Sequence, residues 1–411
     1  MCIMKVLWIT SVYPSADNPG SGVFHETQVR ALSSLGVEIT VINPVPLNAS
    51  FFRIWKKKYR KKNYPYLEKR HGVNIYRPMY RATPGQLRWF QPDKRIAACI
   101  LKTWKKENIE ADLIHAHFAM PSGGAARIVA SKYKKPWLLT LHGSDVHIYP
   151  SFSRSAERIF QKTVKSADEV IAVGEHLAAA AEMKTGRKCL PLPLGIDLSK
   201  FTLNQAAALK ESSRKELALP VNKKIILFVG RLVKEKGIFE LAEALAYLPE
   251  DYVVVYVGAG QGKERLQKEK TYNKRLFLAG QIPNEKVSDY LSACDIFILP
   301  SYSEGLPTVV IEAMALKIPI ICTSVGGIPD LFGEYADLLI QPRSVQEIVT
   351  RVKEQAADAA LFDKAAEQLY QRVLDNYSAV DNAKKLLRNY QELASKSIES
   401  TNQLNHFWEE A

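Results

Sequence analysis

One stretch near three quarters of the chain length, residues 296–322, restricts the fold most strongly. The short apolar run IFIL ends at Pro300, and a polar loop containing Gly305 and Pro307 follows it. An apolar helical pattern begins directly after the loop. Apolar runs of this length are typical of parallel strands that are buried on both faces. The stretch therefore predicts a strand, a loop and a helix of a doubly wound α/β sheet.

The loop in this stretch suits an anionic ligand. Gly305 allows the backbone to pass close to a ligand, and Pro307 fits the first turn of a helix, where its missing N–H costs nothing. The free amides of the helix N-terminus offer a partial positive charge beyond the carboxyl end of the strand. Glu304 lies at this position and Glu312 lies about two helical turns further on, so both carboxylates could face one cleft. On spacing alone, the simpler interpretation is that Glu304 caps the helix and Glu312 is an ordinary exposed acid.

The same plan recurs elsewhere in the chain. The N-terminal strand leads into a loop that carries Gly20 and Gly22, and a helix follows. Residues 224–237 repeat the plan, and there Arg231 and Lys236 flank a glycine-rich turn. Two cations at such a turn could neutralise a diphosphate. Both loops are therefore candidate phosphate sites.

The repeats fall into two groups, which predicts two domains. A polar, helix-forming segment begins near residue 199, and the strand–loop–helix plan restarts after it. We expect an N-terminal domain over residues 1–198 and a second domain over residues 199–377. Residues 77–95 combine arginines, aromatics and prolines, and predict an irregular crossing rather than a regular element.

Three histidines lie at predicted strand ends. His115 and His117 alternate along one strand, a pattern that can indicate a metal site, but the sequence offers no convincing third ligand nearby. Packing or cleft lining is the favoured interpretation, and no metal is expected. His142 differs because Gly143 follows it at the carboxyl end of the next strand, where open sheets bind their ligands.

Composition limits the protein class further. The chain is 47% hydrophobic and 24% charged, as in soluble globular proteins, and no apolar run approaches the ~18 residues of a membrane span. The N-terminus lacks the features of a signal peptide. The five cysteines show no paired or metal-like spacing, which favours a reducing cytoplasm. These are Cys2, Cys99, Cys189, Cys294 and Cys322.

A net charge of +13 favours an anionic partner, and much basic charge is concentrated in residues 51–62. This run interleaves aromatic and basic side chains, including Trp55, Lys56, Lys57, Lys58, Arg60 and Lys61. It suits an interfacial segment that meets anionic lipid, a nucleic-acid patch or a solvated basic face. Because no recognised nucleic-acid module surrounds the run, lipid is favoured over nucleic acid.

The longer strings carry a family resemblance. SEGLP at residues 303–307, followed by EAMA at 312–315 and PIIC at 319–322, resembles the E-x7-E signature of the family 4 retaining glycosyltransferases, which have the two-domain GT-B fold. GRLVKEKG at 230–237 and HGSD at 142–145 are also similar to motifs of this family. The resemblance implies two Rossmann-like domains facing a central cleft, with a C-terminal helix of about 378–411 packing back on the first domain.

The resemblance also implies roles for particular residues. Glu304 would hold hydroxyls of the donor sugar and Glu312 the nucleotide ribose, while Arg231 and Lys236 would stabilise the leaving diphosphate. His142 would lie by the anomeric carbon, acting through its backbone carbonyl as well as its ring. The remaining implied donor-binding residues are Gly20, Gly22, Gly230, Gly258, Ile282, Gly305, Leu306, Pro307 and Thr308, and Asp145 would orient the His142 loop or serve the acceptor side. No metal or other cofactor is implied, only a UDP-sugar substrate.

Within the family, several strings are similar to those of bacterial teichuronic acid glycosyltransferases. These include WITSVYPS at residues 8–15, GVFHETQ at 22–28 and HAHFAMPSGGAA at 115–126. The similarity implies a lipid-diphosphate-linked glycan acceptor in cell-wall polysaccharide synthesis, and a peripheral position on the cytoplasmic membrane face. A soluble family 4 transferase with a small acceptor and a non-catalytic nucleotide-sugar sensor are the alternatives. A nucleic-acid binder ranks behind them.

Overall fold

The computed structural model describes residues 3–16, 18–48, 64–82, 92–201 and 203–409. The chain forms two α/β units. Unit 1 contains Met1–Pro193 and Val380–Ala411, and unit 2 contains Leu194–Ala379. Among the described helices, none is both long enough and apolar enough to span a bilayer.

Unit 1 is built on a mostly parallel sheet. Its strands are β1 (Lys5–Ile9), β2 (Glu38–Ile42), β3 (Val45–Asn48), β4 (Leu67–Arg70), β5 (Val73–Tyr76), β6 (Met79–Ala82), β7 (Leu113–His117), β8 (Trp137–Leu141), β9 (Glu169–Ala172) and β10 (Leu190–Pro191). The main sheet has the order β10-β9-β8-β7-β1-β2-β5-β4, and only β4 is antiparallel to its neighbour. Every residue of β7 and β8 is buried, which explains their continuous apolar character.

The helices of unit 1 are α1 (Val23–Ser34), α2 (Pro92–Lys106), α3 (Gly124–Tyr133), α4 (Ser144–His147), α5 (Arg154–Ser166) and α6 (Glu175–Thr185). The C-terminal helix, Ala379–Glu409, returns to this unit. Its Tyr390 side chain is fully buried, and the Tyr390 hydroxyl lies 2.6 Å from Nδ1 of His115. The end of the chain thus contributes to the core of the unit in which the chain begins.

Unit 2 contains a five-stranded, fully parallel sheet of order β13-β12-β11-β14-β15. These strands are β11 (Lys224–Val229), β12 (Tyr252–Val257), β13 (Leu276–Gly280), β14 (Ile296–Leu299) and β15 (Ile320–Cys322). Its helices are α7 (Leu203–Glu216), α8 (Ile238–Ala244), α9 (Lys263–Leu266), α10 (Val287–Ala293), α11 (Thr308–Ala315), α12 (Ile328–Phe332), α13 (Val345–Ala357) and α14 (Ala359–Asn376). The apolar strands and the inner helix faces form one core cluster.

The division between the units falls a few residues before the boundary predicted at residue 198. The division lies before Ile196 because the side chain of this residue is buried in the core of unit 2. Its amide donates to the Tyr377 carbonyl at 2.8 Å, and its carbonyl accepts from the Ala379 amide at 3.0 Å. The two ends of unit 2 are therefore joined to each other by backbone hydrogen bonds.

The prediction of an irregular crossing over residues 77–95 is wrong in part. β6 lies inside this range and pairs in parallel with β3, and α2 begins at Pro92. The prolines of this region suggested an interruption, but Pro78 precedes β6 and leaves its ladder intact. The buried Arg77 guanidinium bonds to Glu68 and to the Pro14 carbonyl, so it serves the structure of unit 1.

Candidate active site

The carboxyl edge of the unit 2 sheet brings together the two loops that carry the predicted donor residues. β11 and β14 are adjacent, with Leu227 opposite Phe297, although they are distant in sequence. The strand order reverses between them, since β12 lies on the other side of β11, and open sheets bind ligands at such a switch point. The loop after β11 and the loop after β14 therefore meet at one place.

Lys236 and Glu304 form an ion pair between these loops. The Lys236 ammonium contacts Oε1 of Glu304, and the Ser301 hydroxyl donates to the same oxygen at 2.6 Å. The two charged side chains retain only 19% and 9% of their exposure. A pair this protected from solvent fixes the Glu304 carboxylate firmly. Sequence reasoning missed Ser301, although its position two residues after the strand was a signal.

Two glycines allow the backbone segments of this edge to approach closely. Gly258 has a φ of +137°, and a Cβ there would lie 1.9 Å from the Gly230 carbonyl oxygen. Gly326 has a φ of +58°, and its Cβ would lie 1.9 Å from the Glu304 carbonyl oxygen. Any other residue would push these loops apart. Gly230 and Gly258 were predicted site residues, whereas Gly326 was not.

The helix after Glu304 has a free N-terminus. Pro307 is the residue that precedes α11, one position earlier than the first turn in which it was predicted. No side chain caps α11, so the simpler interpretation of Glu304 as a helix cap is wrong. The first amides of α11 therefore have no side-chain cap. They lie beside Gly305, Leu306 and Thr308, at the end of the loop that follows β14.

Glu312 is not an ordinary exposed acid. It is half-buried on α11, and burial raises its pKa to about 7, against the opposing effect of Lys200. A carboxyl group with such a pKa is unusual on a surface helix and is a mark of functional sites. Of the other predicted residues in unit 2, Arg231 is exposed directly after Gly230, and Ile282 is half-buried after β13 and packs on the core.

Unit 1 places a cluster of imidazoles at the carboxyl edge of its own sheet. The strand order reverses between β1 and β7, and the loops that follow these strands adjoin there. His117 ends β7 and His142 follows β8, and Nδ1 of His117 lies 3.0 Å from Nε2 of His142. His25 from α1 joins them, with its ring centroid 4.5 Å from that of His117. Sequence reasoning missed His25, because the helix that carries it is distant from both strands in the chain.

Burial keeps these rings neutral. The pKa of His142 falls to about 3 because the ring is desolvated. The pKa values of His25, His115 and His117 are also lowered well below the ordinary value, first by burial and then by neighbouring imidazoles. At neutral pH the cluster therefore offers lone pairs and N–H groups rather than positive charge.

Asp145 holds the His142 loop in place. Its carboxylate is fully buried and accepts hydrogen bonds from the amides of Ala119, His142 and Gly143 at 2.8, 3.0 and 2.9 Å. Burial raises the pKa of Asp145, while these amides act in the opposite direction. The carboxylate is occupied by backbone amides, which suits the loop-orienting role. Gly22 precedes α1, and Gly20 lies exposed in the same loop.

The basic and aromatic run lies outside the described residues. This applies to the predicted acceptor or membrane residues Trp55, Lys56, Lys57, Lys58, Arg60 and Lys61. Four cysteines are described, and all four are free thiols.

Comparison with known proteins assigns the family. Residues 20–200 match the family model Glycosyltransferase Family 4, and residues 210–372 match the model Glycosyl transferases group 1. A Bacillus subtilis (strain 168) glycosyltransferase named for teichuronic acid biosynthesis, TuaC, is 48% identical over 396 residues, which cover 96% of this chain and 100% of that protein. The chain belongs to glycosyltransferase family 4.

Two further similarities extend this assignment. The family 4 chain is 26% identical over 318 residues to the Escherichia coli UDP-Gal:alpha-D-GlcNAc-diphosphoundecaprenol alpha-1,3-galactosyltransferase, with coverage of 72% of this chain and 78% of that protein. The crystal structure of Anabaena HepE in complex with UDP-glucose matches with a TM-score of 0.69 and 18% identity, over 95% of this chain and 100% of that chain. The predicted GT-B fold and the predicted hexosyltransferase class are both confirmed.

Proposed function

We propose that this glycosyltransferase moves a sugar from a UDP-sugar to a lipid-diphosphate-linked glycan during synthesis of a teichuronic acid type cell-wall polysaccharide. The transfer retains the anomeric configuration and requires no metal or other cofactor. The enzyme works as a peripheral protein on the cytoplasmic face of the cell membrane. Its partners are the nucleotide sugar, the lipid-linked acceptor and anionic lipid, and they do not include nucleic acid.

The observation that carries the donor half of this proposal is the Lys236–Glu304 pair at the switch point of unit 2. Cleavage of a nucleotide sugar builds negative charge on the diphosphate, and preorganised cations and amides lower the barrier most effectively. Lys236, Arg231 and the first amides of α11 supply that charge stabilisation. A diphosphate leaves without protonation, so the site needs no general acid.

Glu304 and Glu312 take different parts in this scheme. Glu304, which forms the ion pair with Lys236, accepts hydrogen bonds from hydroxyls of the donor sugar. Glu312 accepts from the ribose, and its ionised form is the better acceptor. Donor binding exchanges the internal Lys236–Glu304 contact for a contact between Lys236 and the diphosphate and for hydrogen bonds from sugar hydroxyls to Glu304, so neither side chain is left without a polar partner.

The acceptor half of the proposal is supported by the relatives and by residues 51–62. The names of two relatives refer to teichuronic acid biosynthesis and to a diphosphoundecaprenol-linked acceptor. Basic residues interleaved with aromatics suit a membrane that displays anionic lipid. An enzyme that uses a lipid-linked acceptor must reach this surface.

The deciding experiment measures UDP release from a panel of UDP-sugars, with and without an undecaprenyl-diphosphate-linked glycan. Acceptor-dependent release from one donor supports the proposal and identifies the sugar, and NMR of the product tests retention. UDP release with a small soluble acceptor alone would instead establish the soluble transferase. Tight binding of UDP-sugars without turnover in any combination would indicate a sensor and overturn the transferase proposal.

A second experiment isolates the membrane contact. Replacing Lys56, Lys57, Lys58 and Lys61 with glutamine should weaken binding to vesicles that contain anionic lipid, while activity on a water-soluble acceptor analogue is kept. A matched control replaces the same number of exposed lysines in unit 2, for instance Lys223, Lys234, Lys263 and Lys274. If both variants bound vesicles equally well, residues 51–62 would have no specific part in membrane binding.

A further inference from the structure

The three imidazoles of unit 1 have the composition of a metal site. One ring nitrogen from each of His25, His117 and His142 lies within 4.8 Å of the others. All three residues are buried and come from three separate segments of the fold. We propose that His25, His117 and His142 bind a late first-row divalent cation such as Zn²⁺, and that the ion holds His142 in a fixed position.

The hydrogen bonds of Thr10 define which nitrogen of His25 is available. The Thr10 hydroxyl donates to the Val12 carbonyl at 3.0 Å, and its oxygen lies 2.9 Å from Nε2 of His25. Since the hydroxyl has only one proton, Nε2 of His25 carries the hydrogen and donates to Thr10. The opposite arrangement would leave both the Val12 carbonyl and a buried Nδ1–H of His25 without partners.

Nδ1 of His25 is therefore a bare lone pair. It is buried and has no hydrogen-bond partner among the described residues. A buried acceptor without a partner is unfavourable, so a ligand that used this lone pair would relieve its desolvation cost. The Nε2–H bond to Thr10 is also the outer contact that metal-binding histidines make, because it fixes both the tautomer and the ring orientation.

The other two nitrogens are already close to ligand spacing. Two nitrogens bound 2.0–2.1 Å from a tetrahedral ion lie about 3.3 Å apart. Nδ1 of His117 and Nε2 of His142 lie 3.0 Å apart. The three ligand nitrogens all lie within 4.8 Å of one another, so closing the widest separation to ligand spacing needs a movement of about 1.5 Å at most.

The ion would replace the hydrogen bond between His117 and His142. That bond holds one proton, which moves to the outer nitrogen of the ring that carried it, Nε2 of His117 or Nδ1 of His142. Nε2 of His117 is also buried without a partner, so it has room for this change of role. Three N–metal bonds form in place of three water ligands on the ion, and the protein releases no proton.

The chemistry of the cluster selects the class of ion. Imidazole nitrogen suits Zn²⁺, Cu²⁺, Ni²⁺ and Co²⁺, whereas Mg²⁺ and Ca²⁺ prefer oxygen ligands. The Asp145 carboxylate already accepts hydrogen bonds from three backbone amides and does not belong to the cluster, whose ligand atoms are all imidazole nitrogens. His142 is 9% exposed while the other two rings are fully covered, so the ion enters past His142. If His142 acts on the donor sugar as in the proposed function, the bound ion inhibits transfer.

Co²⁺ titration of the chelator-treated, full-length enzyme tests the site without an activity assay. We expect one Co²⁺ per chain with the intense visible absorption of a tetrahedral nitrogen site, and displacement by one equivalent of Zn²⁺. His142→Gln should weaken Co²⁺ binding by about 100-fold or more, because the loss of a ligand exceeds the about 10–100-fold effect of losing an outer contact. Thr10→Val should weaken it by about 10-fold through the outer contact of His25.

His176→Gln is the matched control. His147 and His176 form a surface pair with ring centroids 6.2 Å apart, which could bind Co²⁺ without relation to the cluster. Absence of stoichiometric Co²⁺ in the wild type, unchanged binding in His142→Gln, or loss of binding in His176→Gln would each overturn the proposal. Circular dichroism confirms folding, and His25→Gln replaces His142→Gln if the latter fails to fold. An enzyme that binds Co²⁺ but releases no UDP even in its metal-free form would contradict the proposed function and leave the metal site intact.

Discussion

Glu312→Gln should make unit 2 more stable at alkaline pH while it weakens donor binding. The folded protein raises the pKa of Glu312 from 4.5 to about 7 because burial disfavours the charged form. A raised pKa means that Glu312 contributes its full stability below about pH 4.5 and loses it as the pH rises through about 7. Glutamine carries no charge at any pH, so the variant avoids this loss.

The size of the effect follows from the pKa. Each pKa unit corresponds to about 1.4 kcal/mol, so a rise from 4.5 to about 7 amounts to about 3 kcal/mol of unfolding free energy at most. Because Glu312 is only half-buried, solvent reduces this value, and we expect about 1–3 kcal/mol. For a domain of the size of unit 2, Tm changes by about 2–4 °C per kcal/mol.

The assay compares Tm values of the wild type and Glu312→Gln by calorimetry between pH 5 and pH 8.5. Tryptophan fluorescence does not report on unit 2, since all six tryptophans belong to unit 1 residues. The stability advantage of the variant should grow as the pH rises to about 7 and then level off, while UDP affinity falls by about 10-fold or more through loss of an anionic acceptor. Glu243→Gln, an exposed acid on α8, is the control and should show neither change.

A stability difference that is constant over this pH range would refute the reasoning, because the difference would then not come from ionisation of Glu312. If the wild type instead gained stability relative to the variant as the pH rises, the predicted direction of the pH dependence would be refuted. Unchanged UDP affinity, together with the expected pH-dependent stability, would support the raised pKa of Glu312 but contradict its role in donor binding.

Three further perturbations test other contacts. Lys236→Met leaves the largely buried Glu304 carboxylate without its cation, so we expect a loss of about 3–5 kcal/mol at most in urea unfolding. The kcat/KM for UDP release should fall at least about 100-fold, and a variant of wild-type activity would contradict the charge-stabilising role. Asp145→Asn weakens the hydrogen bonds that the side chain accepts from three backbone amides. We expect the free energy of unfolding to fall by about 1–3 kcal/mol and UDP release to become slower. A variant as stable as the wild type would show that the carboxylate charge is unimportant. Tyr390→Phe leaves Nδ1 of His115 without its hydrogen-bond partner. Urea unfolding followed by tryptophan fluorescence should show that the free energy of unfolding of unit 1 falls by about 1–3 kcal/mol. An unchanged unfolding midpoint would contradict this expectation.

The sequence was sufficient to predict the repeated local plan of the fold. β14 and α11 lie where the apolar run and the helical pattern of residues 296–322 indicated, because buried parallel strands and the helices between them leave strong signals in composition. β6 was missed because its four residues alternate between exposed and half-buried positions and prolines lie close by. Short edge strands carry little hydrophobic signal, so turn residues dominate the pattern.

The sequence indicated which residues belong to the candidate sites, but it did not indicate which of them contact one another. Lys236 and Glu304 are 68 positions apart, and only the adjacency of β11 and β14 brings them together. His25 gave no signal as a partner of His117, since a lone histidine in a helix is usually structural. The order of strands in a sheet is set by packing of the whole domain, so contacts across a switch point do not appear in local sequence patterns.

The path of the chain between the units has a consequence for biosynthesis. The chain leaves unit 1 at Pro193 and returns at Val380, and the contact between His115 and Tyr390 closes a span of 275 positions. Domains form as the chain emerges, from the N-terminus onward. Unit 2 therefore has all its residues outside the ribosome before unit 1 does, although synthesis begins with unit 1. A premature stop near the C-terminus would damage the N-terminal half of the protein and leave the donor-binding half whole.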